Sequence, residues 1–277
     1  MTRFSRLEQM HRRTLNQSIA TNFAQTRLFK HNCYVSRELR WGRRLFFVKV
    51  HKCASTSIIA TCAAEIYRRR GMPVPDRFPA EVHRQKGEAF AFEDLAGRNL
   101  AWMTEQFHHP NTFKFSFVRE PIGRVVSAWA DKVRRPSATG RRLRAHLGLE
   151  SHDELSLGEF VERLTTDTTV LDFDHHWRPQ VREGAFDILK YDFVGDTTHL
   201  QACMDHVFQT VFGRDTAPIV NTRKLIGHRT DSHAHAAALS REHRAALERT
   251  FQEDVAFYRQ VQLNLTRALG LSYEPRT

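Results

Sequence analysis

The sequence has no apolar stretch approaching the ~18 to 20 residues that cross a bilayer. Its longest apolar runs, around Leu45–Val48 and Ile58–Ala64, are short and interrupted, which argues against a membrane-spanning helix. Cysteine is scarce as well: Cys33, Cys53, Cys62 and Cys203 form no C-x-x-C pair, so neither a disulfide framework nor a cysteine zinc site is expected, only reduced thiols. The Walker A pattern G-x-x-x-x-G-K-[S/T] is missing, which weakens an ATPase or GTPase reading. The basic start Met1–Arg6 lacks the apolar stretch and cleavage site of a secretory signal, so a cytoplasmic location is expected. No internal repeat is present, and no zinc-finger, basic-zipper or RNA-recognition signature interleaves the basic residues with aromatics.

What remains is an ordinary globular composition with a strong positive bias. Hydrophobic residues make up 41% and charged residues 26%, and 42 Lys and Arg against 31 Asp and Glu leave a net charge of +11. That balance favours an anionic partner: nucleic acid, an acidic surface, a polyanionic glycan or a phosphorylated cofactor. The length, 277 residues, suits one large domain with an extension. Residues 1–40 read as an N-terminal helical or irregular arm, and 41–277 as the main domain.

Two stretches share one pattern. Leu45–Val50 is a short β-rich run, followed by the polar loop His51-Lys52-Cys53-Ala54-Ser55-Thr56-Ser57 and a buried helix over Ile58–Tyr67. Phe113–Val118 alternates like a strand, and Arg119-Glu120-Pro121 turns into a helix over Ile122–Val133, with Pro121 suited to its first turn. Repeated strand-loop-helix units imply an α/β fold with a central, mostly parallel sheet flanked by helices. Further strands are expected at Asn99–Met103 and Phe186–Tyr191, and an exposed basic loop at Arg134–Gly148. Ser156 to Glu159 forms a capping box opening a helix to Leu164. Helical spacing runs through Thr198–Phe212, and one amphipathic helix spans Ser240–Leu269.

A small-residue loop between a buried strand and a helix N-terminus offers backbone N–H groups and a positive dipole end to a phosphate or sulfate. Lys52 adds a full charge there, and Ser55, Thr56 and Ser57 add hydroxyls. Arg119 at the end of the second strand, with Ser127 two turns into its helix, suits a second phosphate, because a guanidinium offers a planar fork. Two phosphate sites suggest a bis-phosphorylated nucleotide.

The same residues carry a family resemblance. Lys52-Cys53-Ala54-Ser55-Thr56-Ser57 resembles the 5′-phosphosulfate loop of sulfotransferases, and Phe117-Val118-Arg119-Glu120-Pro121-Ile122-Gly123-Arg124-Val125-Val126-Ser127-Ala128-Trp129 resembles their 3′-phosphate motif. His176-Trp177-Arg178-Pro179-Gln180, followed by Tyr191-Asp192-Phe193-Val194-Gly195, is similar to sulfotransferase family 2, the carbohydrate sulfotransferases of the chondroitin/dermatan 4-O and natural-killer-epitope type. The resemblance implies a P-loop-like sulfotransferase fold and 3′-phosphoadenosine 5′-phosphosulfate as donor, with adenosine 3′,5′-bisphosphate as product. Lys52, Cys53, Ala54, Ser55, Thr56 and Ser57 would hold the 5′-phosphosulfate, and Arg119 and Ser127 the 3′-phosphate. It also implies a carbohydrate or glycoconjugate acceptor. The N-terminal anchor of Golgi members is missing, which suggests a bacterial or otherwise cytoplasmic relative.

Sulfuryl transfer, like phosphoryl transfer, is mainly a matter of positioning and charge stabilisation. Lys52 would stabilise the leaving nucleotide, and an acceptor hydroxyl needs a base. His176, beside His175 and after Asp172 and Asp174, is the first candidate; His83 and Glu120 are alternatives, while His108 and His109 would lie at the far end of their strand. Residues Asn221–Arg229, with Arg223 or Lys224, would cover the nucleotide. The tract His228–His235 lacks a matching pair for metal binding, and no metal is expected. A nucleotide-dependent kinase and a non-catalytic basic module binding polyanions remain alternative readings.

Overall fold

The computed structural model describes residues 33–36, 43–74, 92–94, 100–213, 219–220 and 232–271. Five strands, β1 (Cys33–Ser36), β2 (Arg44–Val48), β3 (Phe92–Asp94), β4 (Thr112–Val118) and β5 (Phe193–Asp196), form one sheet in the order β3-β1-β2-β4-β5. β2, β4 and β5 run parallel, while β1 pairs antiparallel with both β2 and β3. The expected α/β architecture is therefore present, and its parallel strands are the ones that lead into the two polar loops.

Period-2 alternation assigns the faces of this sheet. Leu45 and Phe47 of β2 join Phe113, Phe115 and Phe117 of β4 in one core, packed against α1 (Ser55–Arg69) and α8 (Leu200–Phe212). Phe46 and Val48 point the other way, onto Met103 and Phe107 of α2 (Leu100–His108). Burial on both faces explains why β2 reads as a continuous apolar run.

A second core lies beyond β4. It gathers Val125 and Val126 of α3 (Pro121–Ala128), Trp129 and Val133 of a π-turn (Trp129–Val133), Leu143 of α4 (Ala138–His146), Phe160 and Leu164 of α5 (Leu157–Thr166), Val170 of α6 (Thr168–Phe173), and the fully buried Trp177. Leu247 of α10 (Arg241–Thr250) closes it, with α9 (Ser232–Ala237) alongside. The short α7 (Gln180–Gly184) and the long α11 (Gln252–Leu269) complete the described helices. The capping box is formed as expected: Ser156 Oγ accepts from Glu159 N at 3.2 Å and Glu159 Oε2 accepts from Ser156 N at 2.9 Å.

Several expectations are corrected. The strand expected at Asn99–Met103 is α2, because Met103 and Phe107, one turn apart, bury together under the sheet. Phe186–Tyr191 is not a strand: Ala185 enters the left-handed region at φ 48° and Leu189 N donates back to Ala185 O at 2.8 Å, so pairing with β4 waits until β5. Arg134–Gly148 is not an open loop but contains α4. Ser137 Oγ caps it through Gly140 N at 2.8 Å, and buried Arg144 donates to Val133 O at 2.8 Å. Gly140 permits the close approach, since a Cβ there would stand 2.5 Å from Lys132 O. The helix expected over Ile122–Val133 changes to a π-turn at Trp129, and the one over Ser240–Leu269 breaks at buried Phe251. Cys33–Ser36, placed in the N-terminal arm by its sequence, is a sheet strand; the remainder of 1–40 lies outside the described residues.

Candidate functional site

Because β2 and β4 are parallel neighbours, with Val48 opposite Ser116, their C-terminal ends deliver both loops to one edge of the sheet. Ligands of open α/β sheets bind in this place. Lys52 and Ala54 adopt positive φ, 66° and 56°, a winding that turns successive backbone N–H groups toward one side. Ala54, the N-cap of α1, supplies no side-chain bond, and the first turn holds no acidic residue. This 15-residue helix thus begins with neither a side-chain cap from Ala54 nor an acidic residue to offset its positive dipole end. Ser55, Thr56 and Ser57 are half-buried on that first turn, while Cys53 is buried beneath the loop, its thiol pushed up to about 11 by burial. The Cys53 thiol donates inward, to His51 O at 3.7 Å and Gln180 Oε1 at 3.8 Å, and its raised pKa does not suit a nucleophile.

Lys52 Nζ donates to Asp131 Oδ2 at 2.9 Å, and Lys132 Nζ stands 3.1 Å from the same oxygen. The π-turn carries Asp131 there. Burial lowers the Lys52 pKa, opposed by Asp131; burial would raise Asp131, yet the two lysines bring it down to about 2. The Asp131 carboxylate beside the loop lysine is therefore charged at neutral pH.

Arg119, at the end of β4, donates from Nη1 to Lys52 O at 3.5 Å, so the two loops touch. Its backbone is clamped by Gln180: Arg119 N donates to Gln180 Oε1 at 3.2 Å, and Gln180 Nε2 donates to Arg119 O at 2.8 Å. Gln180 is itself held by Asp254 of α11, whose carboxylate accepts from Gln180 N at 2.7 Å and Val181 N at 2.9 Å. Ser127 lies two turns along α3, at 2% exposure.

Arg124, nearly the largest fully buried side chain, stitches the loops from beneath. It donates to His51 O at 2.9 Å, Arg178 O at 2.7 Å and His175 O at 3.2 Å. The His175–Gln180 segment is anchored by Trp177, which stacks on Phe173 and donates from Nε1 to Val170 O at 2.8 Å. Asp174 Oδ1 accepts from His176 N at 2.9 Å and lies 2.5 Å from His176 Nδ1. Asp172 takes no part in this; it faces Arg178 and Arg182. Burial pulls the His176 pKa below its ordinary value against the opposing Asp174, with Lys132 and Lys52 adding to the drop, so the ring is neutral near pH 7. Burial and neighbouring His176 hold His175 at about 4, and burial with Lys49 holds His51 well below the usual range.

Of the alternative bases, Glu120 is engaged as the N-cap of α3, accepting from Ile122 N at 2.9 Å and Gly123 N at 2.6 Å. His83, Arg223 and Lys224 lie outside the described residues. His109 precedes β4, at the opposite end of the strand from Arg119, as expected. His235 is paired with Arg134, Nη1 to Nε2 at 2.7 Å. Sequence reasoning passed over His51, Asp131, Gln180 and Asp254. Only His51 and Gln180 had a local signal, as neighbours of residues already singled out.

Among the described residues, no helix is long and apolar enough to cross a membrane. No curated protein matches the chain. The Sulfotransferase family, however, matches over residues 42–259, a span that begins just before β2 and includes both loops, the Trp177 segment and Asp254. The chain belongs to the sulfotransferase family and is a transferase enzyme.

Proposed function

We propose that the protein transfers a sulfuryl group from 3′-phosphoadenosine 5′-phosphosulfate to a hydroxyl of a carbohydrate-type acceptor, with residues 41–277 as the catalytic domain. The observation that carries this reading is the contact of two anion-ready loops at the ends of adjacent parallel strands, with Arg119 Nη1 3.5 Å from Lys52 O. The uncapped N-terminus of α1, with Lys52, Ser55, Thr56 and Ser57, receives the 5′-phosphosulfate. Arg119, with Ser127, receives the 3′-phosphate.

In the transfer, the acceptor oxygen attacks sulfur in line as the bond from sulfur to the bridging phosphate oxygen breaks. Lys52 leaves Asp131 for that bridging oxygen and stabilises the charge developing on the leaving bisphosphate. His176 takes the acceptor proton at Nε2, because its Nδ1 is engaged by Asp174, which also stabilises the imidazolium that forms. The acceptor approaches over α4, where Arg141 and Arg142 are exposed and Thr139 Oγ1 reaches Asp174 Oδ2 at 3.4 Å. Those guanidiniums suit a sugar carrying negative charge.

Calorimetric titration with adenosine 3′,5′-bisphosphate, beside ATP, tests the donor site. Tight binding of the bisphosphate, weaker binding of ATP, and loss of binding in Lys52→Ala and Arg119→Ala are expected. A folded protein that ignores the bisphosphate overturns the reading, and preference for ATP with magnesium would favour a kinase.

A further inference from the structure

A single base does not account for the imidazoles gathered above the first loop. His51, immediately before Lys52, stands with His175 and His176 at ring-centre separations of 3.8 Å to His175 and 4.9 Å to His176, with 4.4 Å between the latter two. One ring nitrogen from each lies within 4.8 Å of the others. Three imidazoles on one tetrahedral ion, with metal–nitrogen bonds of about 2.0–2.1 Å, place their ring centres about 5 Å apart. The His51–His176 and His175–His176 pairs stand close to that spacing, and His51 and His175 would spread from 3.8 Å to reach it.

The surroundings match a metal site too. His51 Nδ1 is 2.8 Å from Glu183 Oε1, and His176 Nδ1 is 2.5 Å from Asp174 Oδ1; both carboxylates are nearly fully buried. Such carboxylate–imidazole pairs fix the tautomer and orientation of a ligating histidine and leave Nε2 for the ion. Arg124 holds the backbones of His51 and His175 through one guanidinium, so two of the three rings hang from a common anchor. His175, 41% exposed on its side chain, opens the cluster to solvent. The positive charge of Arg124, Lys49, Arg178, Lys52 and Lys132 works against a cation, and Glu183 and Asp174 offset part of it. An all-imidazole donor set selects zinc, cobalt, nickel or copper over magnesium or calcium.

We propose that His51, His175 and His176 bind one divalent transition-metal ion, through Nε2 of His51 and His176 and a ring nitrogen of His175, with Glu183 and Asp174 orienting the rings from behind. A consequence rests on the function proposed above: His176 Nε2 cannot hold an ion and accept a proton at once, so occupancy inhibits transfer.

The test uses the full chain stripped of metal, titrated with Co(II) by visible absorption and with Zn(II) by calorimetry, without nucleotide. One equivalent with intense cobalt bands is expected. His175→Ala should weaken binding by about 100-fold or more and Glu183→Gln by about 10- to 100-fold, while the exposed His152→Ala changes nothing. Circular dichroism checks that each variant is folded. A folded wild-type protein that binds neither ion, or binding that survives both His175→Ala and Glu183→Gln, overturns the site. Zinc should also slow sulfuryl transfer in the wild type and do so less in His175→Ala; binding without inhibition overturns the consequence alone. Metal binding without bisphosphate binding would leave this site standing and remove the donor reading, and the converse would do the reverse.

Discussion

The two strand-loop-helix units differ at the point where each helix begins. The first leaves the N-terminus of α1 without a side-chain cap and winds Lys52 and Ala54 into positive φ. The second closes α3 with its own carboxylate: both oxygens of Glu120 are taken by Ile122 N and Gly123 N. Gly123 lets the carboxylate come close, since a Cβ at 2.9 Å from Glu120 Oε2 would make that side chain shift. In the proposed donor site, the first loop therefore offers an anion its backbone and helix dipole, whereas the second offers side chains, Arg119 and Ser127. Similar sequence patterns thus produce two differently closed helix ends, and under the proposed function the difference predicts unequal responses to mutation.

The largest effect is expected at the first loop. Lys52→Ala should lower the transfer rate by about 100- to 1,000-fold, in line with the loss of one preorganised donor, with circular dichroism unchanged. The same variant removes one of the two lysines that depress Asp131 and leaves Lys132. In the wild type, Asp131 falls to about 2, below an ordinary carboxylate, so its contribution to stability is complete above the unfolded value and disappears as pH falls through the acid range. Urea unfolding at about pH 6 and about pH 3 should show that loss in the wild type and a smaller one in Lys52→Ala.

At the second loop, binding depends on one guanidinium and on what holds it. Arg119→Ala should weaken adenosine 3′,5′-bisphosphate by about 10- to 100-fold, the worth of a charged hydrogen bond, and Arg119→Lys should recover only part. Asp254→Ala acts at a distance: it frees Gln180 N and Val181 N, costs about 1–3 kcal/mol of stability, and loosens the clamp on the Arg119 backbone. A bisphosphate affinity as strong in Asp254→Ala as in the wild type would sever that link.

The sequence made both loops legible because their signals are local. Alternating Phe113, Phe115 and Phe117, the apolar run of β2 and Pro121 at the first turn of α3 each work within one element. The groups that complete the site are not local. Lys52 meets Asp131 across 79 residues, Arg119 meets Gln180 across 61, and Gln180 meets Asp254 across 74. No pattern in any one window encodes those pairs. The Phe186–Tyr191 error has the same origin: its apolar residues fit a strand, but the side chains pack around a bend, with Tyr191 Oη donating to Gly184 O at 2.5 Å. His176 was readable from its motif, yet its neighbour His51 gains meaning only once β2 and the Trp177 segment are side by side.

Opening the second loop to resemble the first is a sharper test. Glu120→Ala removes the cap and should cost about 1 kcal/mol, read as a lower thermal midpoint. It also releases the N–H groups of Ile122 and Gly123 beside Arg119, so bisphosphate affinity should hold or rise. A large loss of transfer with intact donor binding would instead give Glu120 the role of base assigned to His176.

The smallest effect concerns the winding of the first loop. Ala54 sits at φ 56°, a region that costs an L-residue about 1–2 kcal/mol and glycine almost nothing, while glycine gives back about 0.5–1 kcal/mol in chain entropy. Ala54→Gly should therefore raise stability by about 0.5–1 kcal/mol, a shift of about 2 °C, with bisphosphate affinity little changed. Ala54→Val keeps the strain, adds a branched side chain, and should lower both. If the glycine variant is less stable and the valine variant is not, the positive φ at Ala54 is not what shapes the loop, and the contrast between an open helix end and a capped one loses its structural cause.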